Sequence, residues 1–269
     1  MKHPGTPSRK LDWAERWLRS GLELSTPPAF FLCQQVDMTQ ARLLIEHSRE
    51  HGIRLTYAAI FVRAAALALA ANPDLHVVVC GSTVYSPARV DVAVSVAAEG
   101  SLAPVLVLES ANTKTLSALS AELAARIETV RAADATLMSG LRRWGRLLPF
   151  AFLRKAVLRS AYRSLAFRRK SAGTFQVSIV PAVDRFMTPV FGGTAVLTAG
   201  RVAERVVSVD GVPAVRPTAY LACSADHRVW NGSAAARFLQ SVQDILEGPA
   251  LRREALSAEP LPTATRAHG

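Results

Sequence analysis

The side chains best suited to chemistry lie in one short segment near the end of the chain. Asp226, His227 and Arg228 follow a predicted strand, and Asn231 and Gly232 come just before a predicted helix. A strand-to-helix turn of this kind can hold an imidazole at the edge of a sheet, where it can take a proton from a hydroxyl or a thiol near neutral pH. A lone histidine is more often structural than catalytic. The prediction of a general base at His227 therefore depends on the rest of the chain.

Cys223 stands four residues before His227, which raises the alternative of a cysteine nucleophile. Four residues along a strand place both side chains on one face but about 13 Å apart. We therefore expect Cys223 to be a core residue. The three cysteines, Cys33, Cys80 and Cys223, are too few for a disulfide framework and fit a reducing compartment.

The other histidines do not suggest a metal site. No Cys-x-x-Cys occurs, and His and Cys do not cluster at metal-ligand spacing, so we expect no bound metal. His47 and His51 lie on the polar side of a predicted helix, where we expect them to be solvated. His76 begins a predicted strand, and both a structural and a functional role are open for it.

The positive charge is concentrated in one segment. The chain has 269 residues, 50% hydrophobic and 20% charged, and a net charge of +11, a composition typical of a packed globular protein. Ten basic and no acidic residues lie between Ala135 and Val183, which leaves 22 basic and 21 acidic groups elsewhere. A near-neutral protein with one basic segment does not favour nucleic-acid binding, and we expect no such partner.

The chain shows no signal for export or membrane insertion. Residues 1–21 are polar and charged, without the apolar core of a secretory signal. The longest apolar stretch, Ala58–Ala71, is interrupted by Arg63 and is too short to span a bilayer. We expect a cytoplasmic protein.

Hydrophobic periodicity and turn signals predict a mixed order of helices and strands. The predicted helices cover residues 10–19, 39–50, 57–71, 115–133 and 233–246. The predicted strands cover residues 30–36, 76–79, 90–97, 102–108, 174–180, 193–198, 202–209, 214–215 and 219–224, with a short one at Val84. This order predicts an α/β sandwich in which helices pack on one mixed sheet.

Several motifs together resemble the catalytic domain of the 2-oxo acid dehydrogenase acyltransferases. Residues 226–232 are similar to that family's Asp-His-Arg-x-x-Asp/Asn-Gly signature, and residues 173–178 are similar to its Gly-Thr-Phe-Thr-Ile-Ser strand. Residues 100–105 are similar to its Gly-Leu-x-x-Pro-Val hairpin. The resemblance covers roughly residues 10–247.

The resemblance implies a chloramphenicol acetyltransferase-like fold, an α/β two-layer sandwich with helices packed on a mixed sheet. It implies that His227 is the general base, that Ser178 donates to the oxyanion, and that the acceptor attacks the acyl-CoA thioester directly. Acetyl-CoA or another acyl-CoA is then a co-substrate, and no cofactor is tightly bound. The resemblance also implies a homotrimer whose active sites lie between subunits, with the histidine from one subunit and the serine from its neighbour.

Asn231 is included among the site residues, although many family members carry Asp at this position. Asparagine cannot form a salt bridge, but it can hydrogen-bond backbone groups and hold the loop that carries His227. Some members also carry Asn here. The difference is therefore compatible with activity.

A second departure from the family is a basic helical insertion over about residues 140–170, which Pro149 divides into two predicted helices. In the second of these helices, one apolar stripe is formed by Leu153, Val157, Ala161 and Leu165. The insertion is interpreted either as a solvated hairpin or as a functional element. The functional alternatives are a lid over the acceptor, a dock for an acidic acyl-carrier protein, a site for CoA phosphates and a membrane-touching surface.

The match begins close to Met1, and no lipoyl-type Asp-Lys-Ala motif occurs. We therefore expect one catalytic domain over residues 1–247 and a disordered tail over 248–269, working outside a 2-oxo acid dehydrogenase complex.

Similarity to stand-alone members predicts an O-acetyltransferase of natural-product or antibiotic biosynthesis, acting on a small hydroxylated acceptor such as a hydroxymethyl tetronate. A non-catalytic scaffold or carrier-protein-binding protein, and an acetylating resistance enzyme, are the alternatives. The presence of His227, Ser178 and Gly232 together favours the enzyme.

Overall fold

A computed structural model describes residues 11–25, 27–96, 104–249 and 251. The α-helices in these ranges are α1 (Trp13–Ser25), α2 (Thr39–Glu50), α3 (Tyr57–Ala71), α4 (Leu116–Trp144), α5 (Ala151–Tyr162), α6 (Leu165–Ala172) and α7 (Gly232–Glu247). The strands are β1 (Ala29–Asp37), β2 (Val78–Cys80), β3 (Thr83–Tyr85), β4 (Val92–Ser95), β5 (Val105–Leu108), β6 (Phe175–Ile179), β7 (Ala195–Ala199), β8 (Ala203–Val209) and β9 (Val212–Asp226). Almost all of the predicted tail, and residues 97–103 of the predicted hairpin, lie outside the described residues.

Seven strands form one mixed sheet in the order β1-β9-β7-β6-β4-β5, with β8 paired to β9. Strands β4, β6 and β7 run parallel to one another, whereas the pairs β1–β9, β7–β9, β8–β9 and β4–β5 are antiparallel. Strands β2 and β3 form a separate hairpin. The predicted α/β architecture with a mixed sheet is confirmed.

Side-chain alternation gives the sheet two different faces. On β6, Phe175 and Val177 belong to the main hydrophobic core, which the sheet shares with α3 and α7. Gln176 and Ser178, at the alternate positions, line a cavity on the opposite face. Residues of α1, α5 and α6 also line this cavity, so these three helices cover part of the second face.

The buried helix α3 follows the apolar pattern that predicted it. Thr56 caps the helix, because its hydroxyl accepts a hydrogen bond from the Ala59 N–H at 3.2 Å. The Arg63 side chain is buried inside the core, where Nη1 donates to the carbonyls of Ala111 and Asn112 at 3.1 and 2.8 Å. These carbonyls compensate the cation for its loss of water. Neither α3 nor any other helix in the described ranges is long and apolar enough to cross a membrane.

Strand β9 corrects the prediction of two separate strands at 214–215 and 219–224. It runs without a break for 15 residues. Pro213 and Pro217 lie in the part of β9 that pairs with β8 alone, where a missing N–H does not break a second ladder. The predicted turn at Asp210 and Gly211 is present, with φ of 51° and 82°, as a two-residue hairpin turn of this kind requires.

The first helix and the basic segment contain more helix than predicted. Helix α1 extends to Ser25, and α4 continues to Trp144 and passes into a short 3₁₀ helix. Pro149 separates α4 from α5 as expected. The second predicted helix is divided, however, because the Ser164 hydroxyl accepts from the Phe167 N–H at 3.3 Å and starts α6.

The predicted apolar stripe on the second helix of the insertion is packed only in part. Leu153, Ala161 and Leu165 are half-buried, but Val157 is 47% exposed, whereas Arg154 is 6% exposed. Arg154 turns inward because Nη1 donates to the carbonyls of Leu148 and Pro149 at 2.9 and 2.7 Å. Backbone acceptors left free where the 3₁₀ helix ends therefore override the hydrophobic pattern.

Candidate active site

His227 lies directly after β9, exposed at the rim of the sheet. Its backbone N–H donates to the Pro28 carbonyl at 2.9 Å, and its ring packs against Phe30 with 4.8 Å between the ring centroids. The start of β1 therefore positions the imidazole without enclosing it. An exposed ring in a defined position can reach a proton on a bound acceptor.

Asp226 holds the turn that presents His227. Its carboxylate is 1% exposed and accepts from Arg228, with Nε 2.9 Å from Oδ1 and Nη2 2.6 Å from Oδ2. The Asp226 carbonyl accepts from the N–H groups of Val229 and Trp230, and the Trp230 indole N–H donates to Leu75 at 3.0 Å. Hydrogen bonds to buried groups therefore hold both sides of the turn that carries His227.

Asn231 is the N-cap of α7. Its Oδ1 accepts from the Ala234 N–H at 2.8 Å, and its own backbone is extended. This is the kind of backbone hydrogen bond that the sequence suggested for an asparagine here. The contact places Asn231 as a positioning residue between His227 and α7, and its inclusion in the site stays a prediction.

Ser178 lies on β6 in the wall of a cavity of about 380 Å³. The residue is 9% exposed, and its hydroxyl has no hydrogen-bond partner among the described residues. A free hydroxyl facing a cavity can donate to a negative charge that develops on a substrate oxygen. The geometry is therefore compatible with the oxyanion role that the resemblance implies.

Other residues of the cavity wall were not predicted from the sequence. Gln176 shares the cavity face with Ser178, and its Nε2 donates to the Phe191 carbonyl at 2.6 Å, which anchors the loop before β7. The two-residue spacing of Gln176 and Ser178 on one strand was a usable signal. Gly21 and Leu22 of α1 and Tyr162 of α5 also line the cavity, and no local pattern links them to β6.

Ser178 and His227 are not brought together within one chain. In the register of the sheet, Ser178 is paired with Thr198 on β7, and Thr198 is paired with Ala222 on β9. Ala222 is five residues before His227, roughly 16 Å along the strand, and β6 and β9 are two strand spacings apart, about 10 Å. A site that uses both side chains therefore needs two copies of the chain.

Burial argues against a catalytic role for two other groups, Cys223 and His76. Cys223 is fully buried, and this burial raises the pKa of its thiol to about 12, as befits the core cysteine that was expected. His76 is also buried, with Nε2 2.7 Å from the Thr174 hydroxyl, and burial lowers the pKa of its imidazole to about 4. Both side chains are enclosed in the protein interior.

A cluster of possible metal ligands lies near the end of α2. His47, Glu50 and His51 place one ligand atom each within 4.8 Å of the others, and all three are exposed. The spacing of His and Cys residues alone does not indicate this group, because a carboxylate completes the set. His51 Nδ1 lies 2.9 Å from the His47 carbonyl, so one of the ring nitrogens is already engaged by the helix end.

Comparisons with known proteins identify a matching family model and several relatives. A family model described as the 2-oxoacid dehydrogenases acyltransferase catalytic domain matches residues 18–139 and 158–252. The chain is similar to the dihydrolipoyllysine-residue succinyltransferase component of the 2-oxoglutarate dehydrogenase complex of Rickettsia bellii, with 26% identity over 211 residues, 76% of this chain and 44% of that protein. It is 27% identical over 197 residues to the dihydrolipoyllysine-residue acetyltransferase component of the pyruvate dehydrogenase complex of Zymomonas mobilis, 73% of this chain and 38% of that protein. The chain spans less than half the length of these relatives.

Solved structures share the fold. The dihydrolipoamide acetyltransferase of Azotobacter vinelandii, in which the catalytic roles of a serine, a histidine and an asparagine were investigated, matches with a TM-score of 0.69 and 20% identity over 94% of each chain. A probable dihydrolipoamide acetyltransferase from Listeria monocytogenes matches with a TM-score of 0.66 and 23% identity, over 91% of this chain and 96% of that chain. These matches confirm the predicted fold class.

Proposed function

Because the chain belongs to the 2-oxoacid dehydrogenases acyltransferase catalytic-domain family, we propose that it transfers the acyl group of an acyl-CoA, in the first instance acetyl-CoA, to a hydroxyl of a small acceptor. The observation that carries this proposal is a pair of unblocked groups. His227 is exposed on a turn held by Asp226, and the Ser178 hydroxyl faces a cavity and has no hydrogen-bond partner among the residues that the structure describes.

In the proposed reaction, His227 takes the proton of the acceptor hydroxyl while the acceptor oxygen bonds to the thioester carbonyl carbon. The carbonyl oxygen becomes an oxyanion, to which the Ser178 hydroxyl donates a hydrogen bond. The tetrahedral intermediate then expels the coenzyme A thiolate, which receives the proton from His227. The products are an ester and free coenzyme A, and the base returns to its starting state.

The separation of Ser178 and His227 within one chain supports a site shared between two copies. In a homotrimer with cyclic symmetry, each of the three interfaces pairs the histidine of one subunit with the serine of the next. The exposure of His227 at the sheet rim suits this arrangement, since the ring is available to a neighbour.

A small natural-product alcohol, such as a hydroxymethyl tetronate, is the acceptor that we propose. A second candidate is the dihydrolipoyl thiol, which the names of the similar dihydrolipoyllysine-residue acyltransferases favour. The same base would serve both acceptors, because a thiol and a hydroxyl each lose one proton on attack. Parallel assays with dihydrolipoamide and with hydroxymethyl tetronates distinguish them by the acylated product, measured by mass spectrometry.

The test of the proposal is turnover of acetyl-CoA by the wild-type chain and two variants. We expect His227→Ala to lower kcat by about a hundredfold or more, because it removes the base, and Ser178→Ala to lower it by about a hundredfold, because it removes an oxyanion donor. Chromatographic separation of coenzyme A and the ester gives both rates. Full turnover by His227→Ala would falsify the mechanism, and folded wild-type protein without turnover on any alcohol or thiol would favour the non-catalytic scaffold.

A further inference from the structure

A second cavity, of about 290 Å³, lies beside the cavity that contains Ser178. Tyr162 lines both cavities, and the consecutive residues Gly192 and Gly193 line one each. Four guanidinium side chains surround the second cavity: Arg159, Arg163, Arg168 and Arg228. Among the described residues, no Asp or Glu lines it. We call this cavity the arginine pocket.

Two of these arginines are held in place by the fold. Arg168 Nε donates to the Tyr162 carbonyl at 2.8 Å, and its Nη1 donates to the Gly192 carbonyl at 2.6 Å. Burial lowers the pKa of Arg168, and the nearby Arg228 guanidinium adds to the shift. Arg228 is itself paired with the buried Asp226. The pocket therefore contains a fixed, partly desolvated cation beside a neutralised one.

The other two arginines lack a compensating charge. Arg159 lies in the last turn of α5, Arg163 follows the end of the helix one turn away, and both are exposed. In the part of the chain that the structure describes, neither side chain has an ion pair or a hydrogen bond. Glu23 on the neighbouring helix α1 is already paired with Arg19 and Lys155 at 2.9 and 2.5 Å. Three positive charges around one small cavity thus repel one another unless an anion is bound.

We infer that the arginine pocket binds a phosphate group of the acyl donor. The inference rests on the proposed function, since an acyl-CoA must place its thioester in the adjacent Ser178 cavity while its phosphates remain outside. Planar guanidinium groups match phosphate oxygens with paired, charge-assisted hydrogen bonds. A pantetheine arm that passes Tyr162 would connect the two cavities. Free coenzyme A and a phosphopantetheine-loaded carrier protein share this phosphate chemistry.

Calorimetric titration of the full chain with coenzyme A and with pantetheine, which has the same arm but no phosphate, tests the inference. We expect Arg159→Gln/Arg163→Gln to weaken binding of coenzyme A by at least about tenfold and to leave pantetheine binding unchanged. The matched control is Arg143→Gln/Arg146→Gln, which removes the same charge from the same basic segment at positions outside the pocket. We expect the control to bind both ligands like the wild type.

Wild-type affinity for coenzyme A in Arg159→Gln/Arg163→Gln overturns the inference, and so does an equal loss in the control, which would indicate diffuse attraction. Titration with 4′-phosphopantetheine and with loaded and unloaded carrier protein identifies the source. A loss confined to coenzyme A assigns the pocket to its nucleotide phosphates. A loss that extends to phosphopantetheine and to the loaded carrier assigns it to the phosphate that the two donors share.

The failure of this inference is distinguishable from the failure of the proposed function, because binding is measured without turnover. If the protein binds coenzyme A through the arginines but acylates no alcohol, the result supports the arginine pocket and contradicts the proposed function. If the wild type turns over normally but Arg159→Gln/Arg163→Gln has unaltered affinity for coenzyme A, the result supports the proposed function and contradicts the arginine pocket. Circular dichroism of each variant confirms folding, which we expect because both arginines are exposed.

Discussion

At the scale of single residues, the position of His227 depends on neighbours that do no chemistry themselves. Asp226 is buried and ties Arg228 and the following backbone together, while Asn231 anchors the far side of the turn to α7. The imidazole thus remains exposed although its supports are not. In the order Asp-His-Arg, the exposed His227 thus lies between two residues, Asp226 and Arg228, that pair with each other and hold the turn.

Asn231→Ala provides a test at this scale. We expect it to lower the free energy of unfolding by about 1 kcal/mol, because the Ala234 N–H at the start of α7 loses its side-chain acceptor. We also expect a lower kcat for the proposed reaction, since the turn carrying His227 loses an anchor. Urea unfolding measures the first effect, and the acylation assay measures the second.

Asn231→Asp is the conservative comparison, because aspartate caps helices about as well as asparagine and is common at this position in the family. We expect it to retain both stability and kcat. If Asn231→Ala were as stable and as active as the wild type, the hydrogen bond to Ala234 would have no positioning role.

At the scale of elements, the junction between α6 and β6 sets the position of Ser178. Gly173 ends α6 with φ of 64° and ψ of −159°, a conformation that residues with a Cβ rarely adopt. A Cβ added there would lie 2.4 Å from the Asp91 carbonyl oxygen. The chain therefore enters β6 through a position that only glycine fits.

We expect Gly173→Ala to lower the free energy of unfolding by about 2 kcal/mol or more, since it adds backbone strain to a clash with Asp91. Gly140→Ala is the control. Gly140 is inside α4 with nothing within 4 Å of an added Cβ, so alanine should raise stability by up to about 1 kcal/mol. Chemical denaturation measures the free energy of unfolding of both variants, which we expect to change in opposite directions. Equal stability of Gly173→Ala and the wild type would contradict the proposed role of glycine at this junction.

At the scale of the whole molecule, the sheet separates the two proposed catalytic groups. Ser178 is near the middle of the sheet on one face, and His227 follows the end of β9 at the rim. In the proposed mechanism, a single chain therefore carries both groups without bringing them into one site. The proposed catalysis then depends on assembly.

Mixed oligomers test this dependence. Co-expression of differently tagged His227→Ala and Ser178→Ala chains, followed by purification through both tags, selects oligomers that contain both variants. In the proposed homotrimer, each mixed oligomer has one interface with an intact histidine and an intact serine, so we expect about a third of the wild-type activity. Each variant alone is the control and should be nearly inactive. Mixed trimers as inactive as the single variants would show that the site is not shared.

The sequence by itself determined the elements with strong local signals. Helices α2, α3 and α7 and the strand containing Ser178 were predicted closely, because hydrophobic periodicity and capping residues such as Thr56 act over a few residues. The signature around His227 likewise located the candidate base. These features depend on neighbouring residues, which a sequence displays directly.

The tertiary structure alone decided which distant residues meet. It joined β9 into one strand through two prolines, turned Arg154 inward against a helical pattern and placed Tyr162 between the Ser178 cavity and the arginine pocket. Each outcome depends on a partner far along the chain or on backbone groups left free by another element. Pairing across a sheet and hydrogen bonding between helices are long-range interactions, and local residue patterns do not encode them.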